Sequence, residues 1–195
     1  MKTTPTDQNA QNTGGRKVAA KSSAAEGLQE LFVDELKDII YAERALVKAL
    51  PKMANNATDA NLKASIQEHV AVTEAQVERL VQVFEILGES DRGKKCDAME
   101  GLISEGESIL EETEPGPVRD AGIISASQKI EHYEIASYGT LVAFAKILGH
   151  DDVAALLEQT LAEEKEADLK LTDAAYNSIN LDAAGEDKTA GHTQL

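Results

Sequence analysis

The sequence predicts an all-α protein, built as a bundle of four long helices with a short fifth helix in a long crossover. Apolar residues recur at spacings of three and four over stretches of about 30 residues, which is the period of an amphipathic helix. Aromatic residues make up only 4% of the 195-residue chain and Trp is absent, whereas Ala, Leu, Glu and Lys are common, which favours helix over sheet. Gly and Pro are sparse and separate the periodic stretches.

The two ends of the chain differ from its middle. Residues 1–25 and 178–195 are rich in small and polar residues and cannot bury enough apolar surface to offset the entropy lost on ordering. We therefore expect a disordered tail at each end and one folded domain over residues 26–177.

The first two long helices are predicted on either side of a short polar break. The first spans about Glu26 to Ala54, and Pro51 should bend or loosen its last turn. The second spans about Asp59 to Leu87 and ends at Gly88, a typical C-terminal cap. Because the break is short, the two helices should form an antiparallel hairpin.

The long connection after the second helix carries a shorter amphipathic segment, CDAMEGLISEGESILEE, before the Pro115-Gly116-Pro117 breaker. The third long helix then spans about Val118 to Leu148 and stops at Gly149, and the fourth spans about Asp151 to Asn177. These two helices should form a second antiparallel hairpin. One long crossover between two hairpins is the connectivity of a ferritin-like four-helix bundle.

The charge balance excludes some classes of partner. There are 35 Asp and Glu residues against 19 Lys and Arg, a formal charge of −16, so neither nucleic acid nor an anionic membrane is an expected partner. No apolar run approaches the roughly 20 residues that cross a bilayer, and Met1–Ala25 lacks the apolar centre of a secretory signal. A single Cys argues against a disulfide framework and against a cysteine metal site. The expected compartment is the cytoplasm.

Ionisable residues interrupt the apolar stripe near the middle of every long helix. We projected each helix at about 100° per residue and identified the polar side chains that fall inside the stripe or at its edge. The inward residues are Glu43 on the first helix, His69 on the second, Glu131 and Glu134 on the third, and Glu163 and Glu164 on the fourth.

These inward residues together indicate a metal site. Buried carboxylates are costly unless they are paired, protonated or bound to a cation, and no inward Lys or Arg is predicted. A single inward Glu is more often an interhelical hydrogen-bonding group or a rim residue, but such residues on four helices favour metal. Carboxylate oxygen and imidazole nitrogen suit iron, manganese or zinc, and two cations would neutralise four carboxylates.

The chain is identified by its motifs as a member of the YciF and YciE stress-protein family of the ferritin-like superfamily. The similar segments, which lie within residues 28–177, are KDIIYAERALVKALPKMA, EHVAVTEAQVERL, KCDAMEGLISEGE, VRDAGIISASQKIEHYEIASYGTL and LAEEKEADLKLTD. The resemblance implies a four-helix bundle with a crossover helix, a homodimer, and a site similar to those of rubrerythrin-type dimetal proteins. It also implies an association with general stress but defines no biochemical activity.

All six inward residues match positions that recur in the family, and one neighbouring position departs from it. The family motif reads H-L-x-E-T, whereas this chain reads His69-Val70-Ala71-Val72-Thr73, so Val72 replaces a carboxylate. That loss could reduce the site to one metal ion or abolish binding.

Two functions therefore remain open at the level of the sequence. The first is a ferritin-like stress-response protein that binds one or two iron or manganese ions in the bundle core and has a peroxide-consuming or iron-handling activity. The alternative is a non-enzymatic, stress-induced structural or adaptor protein with a degenerate metal site. The sequence leaves open whether the protein is an enzyme.

Overall fold

All regular secondary structure in the described residues is helical, and no strand occurs among them. The structure, a computed structural model, describes residues 18–190. The helices are α1 (Leu28–Asn56), α2 (Ala60–Leu87), α3 (Asp97–Glu112), α4 (Pro117–Leu148), α5 (Asp151–Ala174) and α6 (Asn180–Ala190), with a π-helical segment (Ala175–Ile179) between the last two. Residues 18–27 form no helix and are exposed, whereas the rest of the predicted N-terminal tail lies outside the described residues.

The four long helices form two hairpins that face each other. The connections between α1 and α2 and between α4 and α5 are too short for anything except an antiparallel return, and each pair packs closely. The hairpins meet where α1 contacts α4 and α2 contacts α5. The predicted all-α, ferritin-like bundle with a helical crossover is therefore confirmed.

Both predicted glycine caps are confirmed. Gly88 and Gly149 follow α2 and α4 with φ of 68° and 77°, the left-handed conformation that glycine adopts without a Cβ clash. Their backbone N–H groups donate to carbonyls of the preceding turn. Gly149 thus fixes the turn of the second hairpin, and Gly88 fixes where the first hairpin ends and the crossover begins.

The crossover helix α3 lies against α1 and α4, and small residues permit the close approach. A Cβ built on Gly106 would come within 2.8 Å of Met53 Cε, and one on Gly122 within 2.5 Å of Ile109 Cγ2. Met53 Cε is the end of a flexible side chain and could move aside, whereas a side chain at Gly122 would displace the branched Ile109 side chain of α3. The crossover is therefore packed onto the bundle.

A buried carboxylate ties the two hairpins together at one end of the bundle. Asp120, in the first turn of α4, is 2% exposed and accepts hydrogen bonds from the backbone N–H groups of Thr58 and Asp59, both at 2.8 Å. The Thr58 hydroxyl donates to the same carboxylate. This connects the start of α4 to the loop that opens α2.

The chain remains helical beyond the predicted end at Asn177, which corrects that boundary. The π-helical segment and α6 both contact α4, and Ala175 and Ile179 are buried. The buried apolar side chain of Ile179 extends the face that packs against α4, although the residues around it are mostly polar and had indicated a disordered tail. The predicted tail 178–195 is thus helical as far as Ala190, and residues 191–195 lie outside the described residues.

None of the helices in the described part of the chain has the length and apolarity needed to cross a membrane.

Replacing Asp120 with Ala is expected to lower the free energy of unfolding by about 3 kcal/mol, because three donors lose their buried acceptor. Denaturant unfolding of the full chain measures this. The matched control is the exposed Asp173→Ala, expected to change stability by less than about 0.5 kcal/mol. Equal effects of the two substitutions would contradict the assigned role of Asp120.

Candidate metal centre

Five of the six predicted site residues meet in the middle of the bundle. Each long helix contributes, because a residue that interrupts the apolar stripe must face the other three helices. The carboxylic residues are almost completely buried, with exposures of 0% for Glu43, 3% for Glu131, 1% for Glu134 and 0% for Glu164. His69 is less enclosed, with 15% of its side chain exposed.

The five residues form two overlapping groups that could each hold a metal ion. One group contains His69, Glu131 and Glu164, and the other contains Glu43, Glu134 and Glu164. Within each group, one ligand atom from every residue lies within 4.8 Å of the others. Glu164 belongs to both groups. A shared carboxylate flanked by terminal ligands is the donor arrangement that dinuclear sites in helical bundles use.

Most of the carboxylate oxygens at this centre have no hydrogen-bond partner. The buried unpartnered atoms are Glu43 Oε2, Glu131 Oε2, both oxygens of Glu134, and Glu164 Oε2. Such atoms are rare in folded proteins, because an unpaired buried polar group costs about 1 to 3 kcal/mol. Oxygen-rich donors with one imidazole fit iron or manganese, so the chemistry of the residues and their unused lone pairs suits a bound cation.

The remaining hydrogen bonds at the centre hold individual carboxylates in place. The Tyr138 hydroxyl is fully buried and donates to Glu43 Oε1. The Gln76 amide donates to Glu164 Oε1. Each of these bonds occupies one oxygen and leaves the other, Oε2, free. His69 Nε2 lies 3.5 Å from Glu131 Oε1.

Burial determines the protonation of the metal-free centre. Loss of solvation raises the pKa of Glu131 from 4.5 to about 10, together with charge repulsion from Glu164 and a hydrogen bond to Glu164 that Glu131 can donate only when it is protonated. Burial and the neighbouring carboxylates also raise the pKa values of Glu43 and Glu134 well above the ordinary range. Burial lowers the pKa of His69. The metal-free core therefore favours neutral acids and a neutral imidazole.

Glu163 is the predicted site residue that the structure does not bring into either group. Its carboxylate faces Arg79, which donates to both oxygens at 2.9 Å, and it also accepts from Gln159 at 3.0 Å. The Arg79 side chain is only 11% exposed, so the prediction that no Lys or Arg points inward was wrong. Arg79 compensates Glu163, and the charge of Arg79 lowers the pKa of that carboxyl against the opposing effect of burial.

Two residues near the centre, Gln76 and Arg79, were not among the predicted site residues. Gln76 falls inside the apolar stripe of α2, and its position alone signalled an inward polar group. Arg79, three residues later, borders the same stripe. The direction of its side chain depends on Glu163 of α5, so the sequence of α2 alone does not indicate it. Val72, one turn after His69 on α2, is partly buried and offers no ligand atom. No carboxylate of α2 joins the two groups.

Fold and site together define the class of protein: an all-α, ferritin-like helical bundle with a buried cluster of carboxylates around one imidazole. The chain belongs to the family described as a domain of unknown function, DUF892, which matches residues 27–184. The resemblance to the YciF stress-protein family is thereby confirmed.

Known relatives agree in both sequence and structure. Protein YciF of Escherichia coli K12 is 46% identical over 156 residues, covering 78% of this chain and 93% of the relative. The crystal structure of the E. coli stress protein YciF superposes with a TM-score of 0.77 at 44% identity, covering 80% of this chain and 99% of that one. YcfI from Rhodopseudomonas palustris, described as a candidate structural protein, gives a TM-score of 0.75 at 44% identity, covering 78% and 98%.

The metal-free protein is expected to lose stability as the pH rises from 7 to 9. A carboxyl whose pKa is raised in the folded state keeps its proton there, while the unfolded chain has released it above about pH 4.5. The folded state thus binds more protons, and its stability falls by on the order of 1 kcal/mol per pH unit for each such carboxyl. His69, with its lowered pKa, contributes no slope in this window.

Denaturant unfolding at pH 7, 8 and 9 in the presence of a chelator measures this slope. Glu131→Gln should make this slope less steep by on the order of 1 kcal/mol per pH unit, because the amide has no proton to release, whereas the exposed Glu166→Gln should not. A metal-free protein with constant or rising stability across this range would contradict the raised pKa values.

Proposed function

We propose that this chain is a ferritin-like stress protein that binds one or two iron or manganese ions in the bundle core. The ligands would be His69, Glu131 and Glu164 in one group and Glu43, Glu134 and Glu164 in the other. The observation that carries this proposal is the set of five unpartnered carboxylate oxygens that point into one buried region. Within residues 18–190, no Lys or Arg side chain forms an ion pair with a carboxylate of these two groups, and Arg79 is paired with Glu163.

Charge balance supports the proposal. Four ionised carboxylates would place about four negative charges in a dry core, a cost of several kcal/mol for each ion after relaxation. The nearest cationic side chain, Arg79, is already engaged by Glu163. Two divalent cations would neutralise the four carboxylates, and a single one would neutralise half of them.

The surrounding residues would prepare the ligands for a cation. Tyr138 holds Glu43 through Oε1, and Gln76 holds Glu164 through Oε1, so the second oxygen of each carboxylate is directed and free. Such outer hydrogen bonds fix ligand orientation and raise affinity. The Arg79–Glu163 pair covers the neighbouring edge of α2 and α5 and keeps that carboxylate outside the cluster.

A bound iron or manganese ion would supply Lewis acidity and one-electron redox chemistry, which peroxide consumption or iron handling requires. The protein would contribute a neutral imidazole, carboxylates that release protons when a cation binds, and a core that excludes bulk water. The description as a stress protein belongs to the E. coli relative, and we extend it to this chain on the basis of 46% identity.

The alternative, a structural protein with a degenerate site, is favoured by one observation. Val72 stands where the family pattern has a carboxylate, so α2 contributes only His69 to the two groups. In that case the inward acids would remain protonated, as their raised pKa values permit without metal. Metal content separates the two functions.

After loading with Fe²⁺ or Mn²⁺ under anaerobic conditions and removal of excess metal, the protein should retain about one or two ions per chain. Glu164→Gln should lower the retained amount most, because Glu164 belongs to both groups, and Glu134→Gln should lower it by up to about half. Elemental analysis measures the content, and circular dichroism confirms the fold of each variant.

Two glutamates on α5 serve as controls in that experiment. Glu166→Gln changes an exposed residue, and Glu163→Gln changes the partner of Arg79, so both variants should retain the wild-type metal content. Trace metal in the loaded wild-type protein would contradict the proposed function and support the structural alternative. Loss of metal in Glu163→Gln would instead add Glu163 to the ligands.

A further inference from the structure

A cavity of about 100 Å³ leads from the protein surface to one side of the carboxylate cluster. It lies between α2, α4 and α5, and Leu50 of α1 closes one side. Its inner end is formed by His69 and Glu131, two members of the same candidate metal group. The other group is not reached, because Glu43 and Glu134 do not line the cavity and are completely enclosed.

The inner end of the cavity presents one pair of polar groups. Glu131 Oε1 lies 3.5 Å from His69 Nε2, and the two side chains are 5% and 15% exposed. Glu131 Oε2 is buried away from the cavity surface. A hydroxyl group that entered the cavity would meet Glu131 and His69 at its end.

The wall of the cavity is mostly apolar, although Ser65 and Ser127 also line it, and Glu163 lines it while paired with Arg79. The apolar wall residues are Leu50, Ile66, Val72, Ala167 and Leu171. At the mouth, Glu166 and Lys170 form an ion pair at 3.0 Å, and Glu68 is exposed beside them. A route used only by water or metal ions would not require this apolar wall. The wall instead offers burial to an apolar body.

The size of the cavity limits the occupant. An engineered apolar cavity of about 150 Å³ in another protein accommodates benzene, so about 100 Å³ accommodates a somewhat smaller body, such as a short or branched alkyl group. The occupant is therefore a small molecule and not a lipid chain or a peptide.

We propose that this cavity binds a small neutral organic molecule, with its alkyl body against Ile66, Val72 and Leu171 and a hydroxyl or hydroperoxyl head beside Glu131 and His69. Binding itself needs no metal, whereas the role of the molecule as a substrate rests on the proposed function. An organic hydroperoxide in this pose would place its oxygens next to a candidate metal ligand group.

The neutral class follows from the wall and the mouth together. A charged head would lose its hydration on passing the apolar wall, and transfer of an unpaired charge into such an environment is far costlier than transfer of a hydroxyl. The charged lining residues offer little compensation, because Lys170 is paired with Glu166, Glu163 is paired with Arg79, and Glu68 is exposed to solvent. The cost of desolvating a charged head is therefore not recovered in the cavity, whereas a neutral hydroxyl has a smaller cost.

Three ligands with the same tert-butyl body test this class on the full-length, metal-free protein. They are tert-butanol, tert-butylamine and pivalate, whose heads are neutral, cationic and anionic. Titrations followed by NMR should show saturable binding of tert-butanol, and weaker binding of the two charged ligands by about tenfold or more. In a further titration, tert-butyl hydroperoxide should bind with about the same affinity as tert-butanol, because its head is also neutral.

Two alanines on α5 give matched variants. Ala167 lines the cavity, so Ala167→Leu should fill it and weaken tert-butanol binding by about tenfold or more, while retained metal stays at the wild-type amount. Ala162 is exposed on the same helix and lies outside the cavity, so Ala162→Leu should leave binding unchanged.

Failure of tert-butanol to bind, preferred binding of a charged ligand, or equal effects of the two alanine variants would each overturn the inference. These outcomes are separable from the proposed function, because metal retention is measured independently. A protein that retains metal but does not bind tert-butanol would lose only the inferred ligand class. Binding of tert-butanol by a protein that retains no metal would support the inferred ligand cavity and contradict the proposed metal site.

Discussion

The central constraint on this protein is the placement of four carboxylic acids in the core of a helical bundle with no cationic partner in their two groups. Five of their oxygens lack any hydrogen-bond partner, although such atoms are costly in a packed interior. The bundle can tolerate them in two ways: the acids remain protonated, or a cation binds. The raised pKa values are consistent with protonated acids in the metal-free protein, and the two overlapping ligand groups are suited to a bound cation.

The fold determines this arrangement by bringing together inward positions of all four long helices, two of them on α4. Two hairpins with sharp glycine ends, a crossover helix packed onto α1 and α4, and the Asp120 link between hairpins keep the helices in register. Tyr138 and Gln76 then fix two carboxylates by one oxygen each. On the side of His69 and Glu131 the enclosure is incomplete, and the cavity connects that side to solvent.

Helical periodicity was sufficient to predict the bundle and most of the cluster. Glu43, His69, Glu131, Glu134 and Glu164 interrupt apolar stripes, and a residue in such a stripe must face the core whatever the details of packing. The role of Glu163 was not predictable, because it lies at the stripe edge, where the direction of the side chain depends on Arg79 of another helix. The continuation of helical structure beyond Asn177, in the π-helical segment and α6, was missed because the burial of Ile179 depends on α4 and not on local composition.

Anomalous X-ray diffraction from crystals of the metal-loaded protein, recorded on either side of the iron or manganese absorption edge, is the most direct test of a cation in this core. We expect one or two anomalous peaks in the bundle centre, among His69, Glu131, Glu164, Glu43 and Glu134. A loaded protein whose centre shows no anomalous peak, with the metal only at surface carboxylates, would contradict a cation site in the core.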